Sequence, residues 1–347
     1  MKPIAIHGGD SPWNGRFVQF CRDNAVPHEV VDCYAPGIIE RIRGCSGLMW
    51  HFSHTDPADM LMARHLLNVA ELVGLRVFPD FKTNWHFDDK LAQKYLFEAL
   101  ELPNPPTWAF FDRKKALEFV ETCDLPIVAK LRRGAGSYNV RLLKTRRQAR
   151  AYVHRMFGRG YQPIPAPLAD ARNKFIVAAT SGGVHGVLKR LMKAPRFFRE
   201  VLHGRKYFGN EKGYVLFQEF IPGNTCDIRV SVIGNRAWAF RRAVRAGDFR
   251  ASGSGMIDYD LSRIPTELIP RSFAVADRIE VQSICLDWVR RDDDYCFLEI
   301  SYGFADEAIY ACEGHWDRDM NWHKGHMYAS VAIAEDFVKT CQAHSHK

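Results

Sequence analysis

Two short stretches carry residues whose types and spacing could do chemistry. In PIVAKLRRGAGSYNV, residues 126–140, an apolar run ends in Lys130 and is followed by a glycine-rich turn, Gly134, Ala135, Gly136 and Ser137. Glycine lets main-chain N–H groups come close to an anion, and an ammonium group at a strand end supplies a point charge for phosphate oxygens. Alone, such a turn is an ordinary hairpin loop, and no G-K-[ST] leads from it into a helix, so it is not a P-loop. The second stretch pairs Asp287 in ICLDWV with Glu299 in YCFLEIS, both inside strand-like apolar runs that would bury the carboxylates. Buried carboxylates need a cation or hydrogen-bond donors. A Mg²⁺ ion uses few protein carboxylates and completes its shell with phosphate and water. A lysine-and-glycine phosphate loop and two strand-borne carboxylates are complementary halves of a site for a magnesium nucleotide.

The elements that must hold these residues alternate. PIAIHGG, HEVVDCY, CSGLMWHF and LRVFPD read as four strands separated by helices, one of them from about Pro57 to Val73. That order predicts an α/β domain with a parallel sheet over residues 1–82. DDKLAQKYLFEALEL follows as an amphipathic helix with Leu91, Tyr95, Leu96 and Leu100 on one face, stopped by LPNPPTW. LPIVAK and NVRLLK read as paired strands around the glycine turn. VLFQEFI is a further strand, and DIRVSVIG with RAWAFRRAVR an antiparallel pair. RSFAVADRIEVQSICLDWVRR is a helix running into a strand, and YCFLEIS is the last strong strand.

The bulk composition bounds the partners. With 347 residues, 47% hydrophobic and 25% charged, the chain has room for two or three subdomains of a soluble protein. No apolar run approaches the roughly 18 residues of a membrane helix. The opening MKPIAIHGGD lacks the apolar core of a signal peptide, so a cytoplasmic location is expected. Nine scattered cysteines without C-x-x-C pairs argue for reduced, packing thiols. The net charge of +8 favours anionic partners. No nucleic-acid module appears, so nucleic acid is not among the expected partners.

The order of motifs resembles the ATP-grasp superfamily, and within it the RimK-like carboxylate–amine ligases, over roughly residues 83–310. The resemblance implies an α+β ATP-grasp domain over 83–340 after the N-terminal α/β domain, with a lid subdomain at about 122–218 and a metal-binding subdomain at about 219–340. It implies ATP and Mg²⁺ as cofactors, with Mn²⁺ as an alternative ion. Lys90 in DDKLAQKYLFEALELPNPPTW takes the first nucleotide-lysine position, and Lys130, Gly134, Gly136 and Ser137 take the second lysine and the phosphate lid. VLFQEFIPGNTCDIRV is similar to the hinge strand, so Gln218, Glu219, Phe220 and Ile221 would meet adenine, the last three mainly through main-chain groups. FRRAVRAGDFRASGSG places Arg242 and Arg250 near phosphates or the acceptor, and with Arg229 they would hold an acyl phosphate. LDWVRRDDDYCFLEIS matches the metal motif, giving Asp287 and Glu299 and, as a shorter and poorer third metal ligand where the family usually has Asn, Ser301. Asp227 is left with two readings, a ribose or ligand contact or an arginine pair, and Arg241 is expected on the opposite, solvated face of its strand.

The implied reaction uses ATP to phosphorylate a carboxylate; an amine then attacks the acyl phosphate, giving an amide, ADP and phosphate. The wording EISYGFA, DFRASGSG and GHWD…NWH is similar to RimK-like proteins of surface-polysaccharide pathways, which implies a saccharide acceptor, a uronic acid amidated by an amino acid or amino alcohol. A peptide ligase uses the same core, and a non-catalytic nucleotide-binding scaffold is the reading that Ser301 alone would favour. Residues 185–212 carry eight Lys or Arg against two Glu; they read either as a solvated basic face or as a peripheral membrane contact. The segment 310–326, with His315, His323, His326, Trp316 and Trp322, fits no common zinc spacing and reads as core packing or a sugar-binding wall. A homodimer is compatible with all of this.

Overall fold

The computed structural model describes residues 1–134, 139–163, 209–245 and 255–344. Gly136, Ser137 and Arg250 lie outside them, as do residues 185–208 of the basic stretch.

Four short strands open the chain: Ile4–His7, His28–Val31, Gly47–Met49 and Arg76–Phe78. They form an all-parallel sheet in which the first strand lies between the second and the third, with the fourth outside the third. The first strand is buried throughout, as a parallel strand covered on both faces must be. Helix Pro57–Leu72 begins with Asp56 accepting the Ala58 N–H, an N-cap followed by a proline that loses no needed donor. The last helix, Ala329–His344, returns to pack on helix Pro12–Asp23. Its Phe337 lies against Gly47, where a Cβ would stand only 2.7 Å from the ring.

Among the described residues the remaining strands form two antiparallel sheets. One has the order Thr107–Phe110, Val215–Glu219, Ile127–Lys130, Val140–Leu143, with helices Arg113–Thr122 and Arg146–Met156 packed together and buried in the same core. Its first strand lies upstream of the expected lid boundary at about 122. The other is larger and runs Asp294–Ser301, Ser283–Arg291, Cys226–Ile233, Arg236–Ala243, Gly314–Trp316, Trp322–Lys324. Helix Leu268–Ile279 covers one face with Leu268, Ile269, Phe273, Ala276 and Ile279, and the buried Trp288 indole donates to Ser272 Oγ at 2.9 Å. A parallel α/β sheet followed by two α+β units agrees with the expected fold class.

Two expectations change in detail. Helix Lys90–Ala99 buries Lys90, Gln93 and Phe97, whereas Tyr95 is exposed and Leu91 and Leu96 are only partly covered. Gln93 is drawn inward because its amide donates to Ile300 O at 2.9 Å and to His86 O at 3.2 Å, bonds that outweigh its polarity. The His/Trp segment forms a hairpin, Gly314–Trp316 with Trp322–Lys324: Trp316 is buried against Trp322, and His315 stacks on His323, which pairs with Asp317. Among the described residues no helix is long and apolar enough to cross a membrane.

Candidate active site

A cleft between the smaller antiparallel sheet and the larger one gathers residues from five separate stretches. Lys90 is the first residue of helix Lys90–Ala99, whose start is fixed by Asp89 accepting the Leu91 and Ala92 N–H groups. Its ammonium donates to Gly134 O at 2.8 Å and pairs with Glu299 Oε1 at 3.1 Å. Burial works against this charge, but Glu299 and Asp88 outweigh it and hold the pKa above the ordinary lysine value.

Lys130 ends the strand Ile127–Lys130, where alternation puts it on the same face as Val128, and both line the cleft. Among the described residues its hydrogen bond is to Leu298 O, at 3.4 Å. Burial therefore pushes its pKa down to about 8, against the pull of Glu299 and with added repulsion from Lys90. A buried ammonium whose one hydrogen bond among the described residues is long suits an anion.

Gly134 continues the turn at φ +121°, and its N–H donates to Asp88 Oδ1 at 2.9 Å. A Cβ there would fall 2.1 Å from the Asn139 amide nitrogen, so both the backbone angle and the space demand glycine.

The arginines and aspartates are set by strand register. Arg229 lies opposite Asp287 on neighbouring strands, and Arg242 lies opposite Asp227. Arg229 grips Asp287 through two bonds, 2.7 and 2.9 Å, and Arg242 grips Asp227 through two more, 2.8 and 2.6 Å. Arg242 also reaches Asp287 Oδ2 at 2.8 Å. Burial opposes ionisation of Asp287, but the two guanidinium groups hold its carboxyl well below the usual range. Of the two readings of Asp227, the arginine pair is the one present, although the residue also lines the cleft. Arg241, on the opposite face, pairs with Asp258 and is partly exposed.

The hinge strand Val215–Glu219 delivers Gln218, Glu219, Phe220 and Ile221 to the cleft. The Gln218 amide donates to Thr107 Oγ1 at 3.1 Å and the Glu219 carboxylate pairs with Arg291 at 2.8 Å. Both side chains are thus engaged elsewhere, which leaves the main chain to meet a planar ligand. Val140, Val244, Val289 and Leu298 make the apolar walls. Sequence reading passed over these, although Val289 shares a strand face with Asp287 by the same period of two that links Val128 to Lys130. It also passed over Asn224 and Cys226, which line the cleft without a motif to mark them.

The donor set fits a hard divalent cation in part. Asp287 and Glu299 both line the cleft, next to the under-partnered Lys130 ammonium, which suits an ion shared with phosphate oxygens. Asp287 would have to be released by Arg229 and Arg242, and Glu299 by Lys90. Ser301, the third expected ligand, does not fit: its hydroxyl donates to Gly303 O at 2.8 Å and accepts the Gly303 N–H at 3.1 Å, a local turn that a short side chain favours.

Comparisons with known proteins bear on the fold that carries this cleft. Residues 173–309 match the family model of the RimK-like ATP-grasp domain. No curated protein matches the chain in sequence. A RimK domain ATP-grasp protein from Sphaerobacter thermophilus is similar in structure, with a TM-score of 0.55 and 14% identity over 97% of this chain and 99% of that one. The ATP-grasp ligase PsnB, solved with a precursor peptide and AMPPNP, aligns over 98% of both chains with a TM-score of 0.53 and 14% identity. The D-alanine–D-alanine ligase of Bacillus anthracis, solved with ATP, aligns over 99% and 98% with a TM-score of 0.55 and 10% identity. The chain adopts the ATP-grasp fold, and its residues 173–309 are similar to the RimK-like ATP-grasp domain.

Proposed function

We propose that the protein is an ATP-dependent, ADP-forming carbon–nitrogen ligase that joins a carboxylate to an amine. The observation that carries the reading is the convergence of Lys90, Lys130, Asp287 and Glu299 on one cleft beneath the hinge strand. The ATP γ-phosphoryl group would pass to the substrate carboxylate, releasing ADP and leaving an acyl phosphate. The amine nitrogen would then form the C–N bond as the C–O bond to phosphate breaks, with the amine proton leaving to solvent or phosphate. Lys130 and Lys90 would bind and orient the phosphates, cations being worth most where water is excluded. Arg229 and Arg242 would hold the acyl phosphate through forked hydrogen bonds. Mg²⁺, when bound at Asp287 and Glu299, would supply charge neutralisation at the transferring phosphoryl oxygens. Gly134 would anchor a lid over the nucleotide, keeping water from the acyl phosphate.

For the acceptor we favour a uronic-acid carboxylate of a surface polysaccharide, supported by the wording of EISYGFA and the C-terminal GHWD…NWH segment. A peptide acceptor is the second reading, supported by the similarity over the whole chain to PsnB, which was solved with a precursor peptide.

Thermal unfolding with Mg²⁺ and ADP tests the core of this reading. At a 100-fold excess over Kd, binding adds about 2.7 kcal/mol, a visible rise in Tm. The rise should require Mg²⁺ and shrink in Glu299→Gln. Turnover with uronic acids and amines should release ADP and phosphate; AMP as product would exclude the mechanism.

A further inference from the structure

A second cavity lies away from the nucleotide cleft, where the N-terminal sheet, the larger antiparallel sheet and the last helix meet. It holds about 460 Å³, and among the described residues none that lines it also lines the cleft. Phe78 comes to it from the fourth strand of the N-terminal sheet, Ile233 from the end of strand Cys226–Ile233, and Ile333 and Phe337 from helix Ala329–His344. With Ala276 and Val281 they make an apolar floor. A concave site of a few hundred Å³, with apolar walls and a few polar groups at a join between units, is the usual form of a small-molecule pocket.

The polar groups around it offer donors. Arg318 spends two bonds on Asp277, at 2.7 and 2.8 Å, and its Nε–H donates to Asn235 Oδ1 at 2.8 Å. That bond fixes the Asn235 amide with its oxygen used and its Nδ2 without a partner among the described residues. Lys339 is exposed, and its ammonium has one partner among the described residues, Glu335 Oε1 at 2.6 Å, which leaves two donors to spare. The carboxylate that lines the cavity, Asp336, is turned toward the protein. Its Oδ1 accepts from Arg236 Nη2 at 2.6 Å, and its Oδ2 is buried against Gly234, where a Cβ would have no room.

We propose that this cavity binds a small amphipathic anion, a carboxylate carried on an apolar body. Lys339 Nζ and Asn235 Nδ2 donate to the carboxylate oxygens, and the floor takes the apolar part. The ligand is not the acceptor of the ligase reaction. Ile233 lies four residues beyond Arg229 in the same strand, and it pairs with Ser283, four residues before Asp287. At about 3.4 Å per residue that is roughly 13 Å along the strands, too far for a carboxylate held here to reach a phosphoryl group in the cleft. The site therefore acts behind the strands that carry Arg229 and Asp287, as a second ligand position.

The test titrates the full chain with 3-phenylpropionate and, as the uncharged control, 3-phenylpropanamide, with and without saturating MgADP. Binding is followed by ligand-observed NMR. Two variants separate the parts of the site. Thr340→Trp places a large ring at the mouth from an exposed position on the last helix, and Lys339→Gln removes the charge from another exposed position. 3-Phenylpropionate should bind the wild type more tightly than the amide does, equally well with MgADP present. Binding should be lost in Thr340→Trp. In Lys339→Gln it should weaken about fivefold, the size of an exposed ion pair, while the amide is unaffected. No binding of 3-phenylpropionate to the wild type, equal affinity for the amide, displacement by MgADP, or wild-type affinity in either variant would overturn the site. Should Thr340→Trp fail to fold, Lys339→Gln decides. None of these outcomes touches the ligase reading, which the MgADP measurements test separately.

Discussion

Lys130 shows how one side chain can be costly for the fold and useful for the site. Its ammonium is buried with a single long hydrogen bond among the described residues, and burial lowers its pKa to about 8. A bound phosphate would relieve that cost. Lys130→Ala should therefore weaken MgADP binding by tenfold or more, roughly the 1.5–3 kcal/mol of a hydrogen bond to a charged group, while the protein stays folded. Calorimetric titration checks this, and an unchanged Kd in the folded variant would remove Lys130 from the phosphate site. Lys130 and both carboxylates were legible from their place at the ends or centres of apolar runs, whereas Lys90 came only from the resemblance to the ATP-grasp motifs. The fate of Ser301 was not, because a hydroxyl bonded to Gly303 two residues on and one aimed at an ion have the same sequence.

At the scale of elements, register does what spacing along the chain cannot. Arg229 and Asp287 are 58 residues apart, yet they face each other because their strands are neighbours. Sequence reading placed both near the site but assigned Asp287 to a metal alone, since a cross-strand pair appears only once the strand order is known. The glycine turn is another element-level device. Gly134 ties the turn to the helix start through Asp88 and Lys90 and has no room for a side chain. Gly134→Ala should distort that link, weaken MgADP binding and lower Tm by a few degrees, because alanine is strained at φ +121°. Parallel binding and thermal-unfolding measurements check this; a wild-type Kd would show that the turn does not contribute. The buried face of helix Lys90–Ala99 was misread for a related reason: Gln93 has acceptors waiting on neighbouring elements, and periodicity counts only apolar residues.

Across the whole molecule, the joins between units are polar as well as apolar. His86 lies just before helix Lys90–Ala99, fully buried, with Nε2 bonded to Lys82 O at 3.1 Å and Nδ1 without a partner among the described residues. Burial pushes its pKa from 6.5 down to about 4. The unfolded chain takes up a proton that the folded one refuses, so the stability it contributes is complete above pH 6.5 and is lost as the pH falls toward 4. Urea unfolding across that range should show ΔG falling by up to a few kcal/mol, and the slope should be shallower in His86→Gln. An identical slope would place the effect elsewhere; His315, also pushed down to about 4 by burial, would then be examined next.

The sequence by itself determined the alternation of strands and helices, the glycine that a left-handed turn needs, and the placing of Lys130, Asp287 and Glu299 in apolar runs, because each follows from local geometry or from the cost of burying charge. Tertiary structure decided the rest. It fixed which guanidinium holds which carboxylate and that Gln93 points inward. It also brought the Tyr302 hydroxyl to Phe52 O, 250 residues away in the chain. These depend on strand order and on contacts between residues far apart in the chain, and no local pattern encodes them.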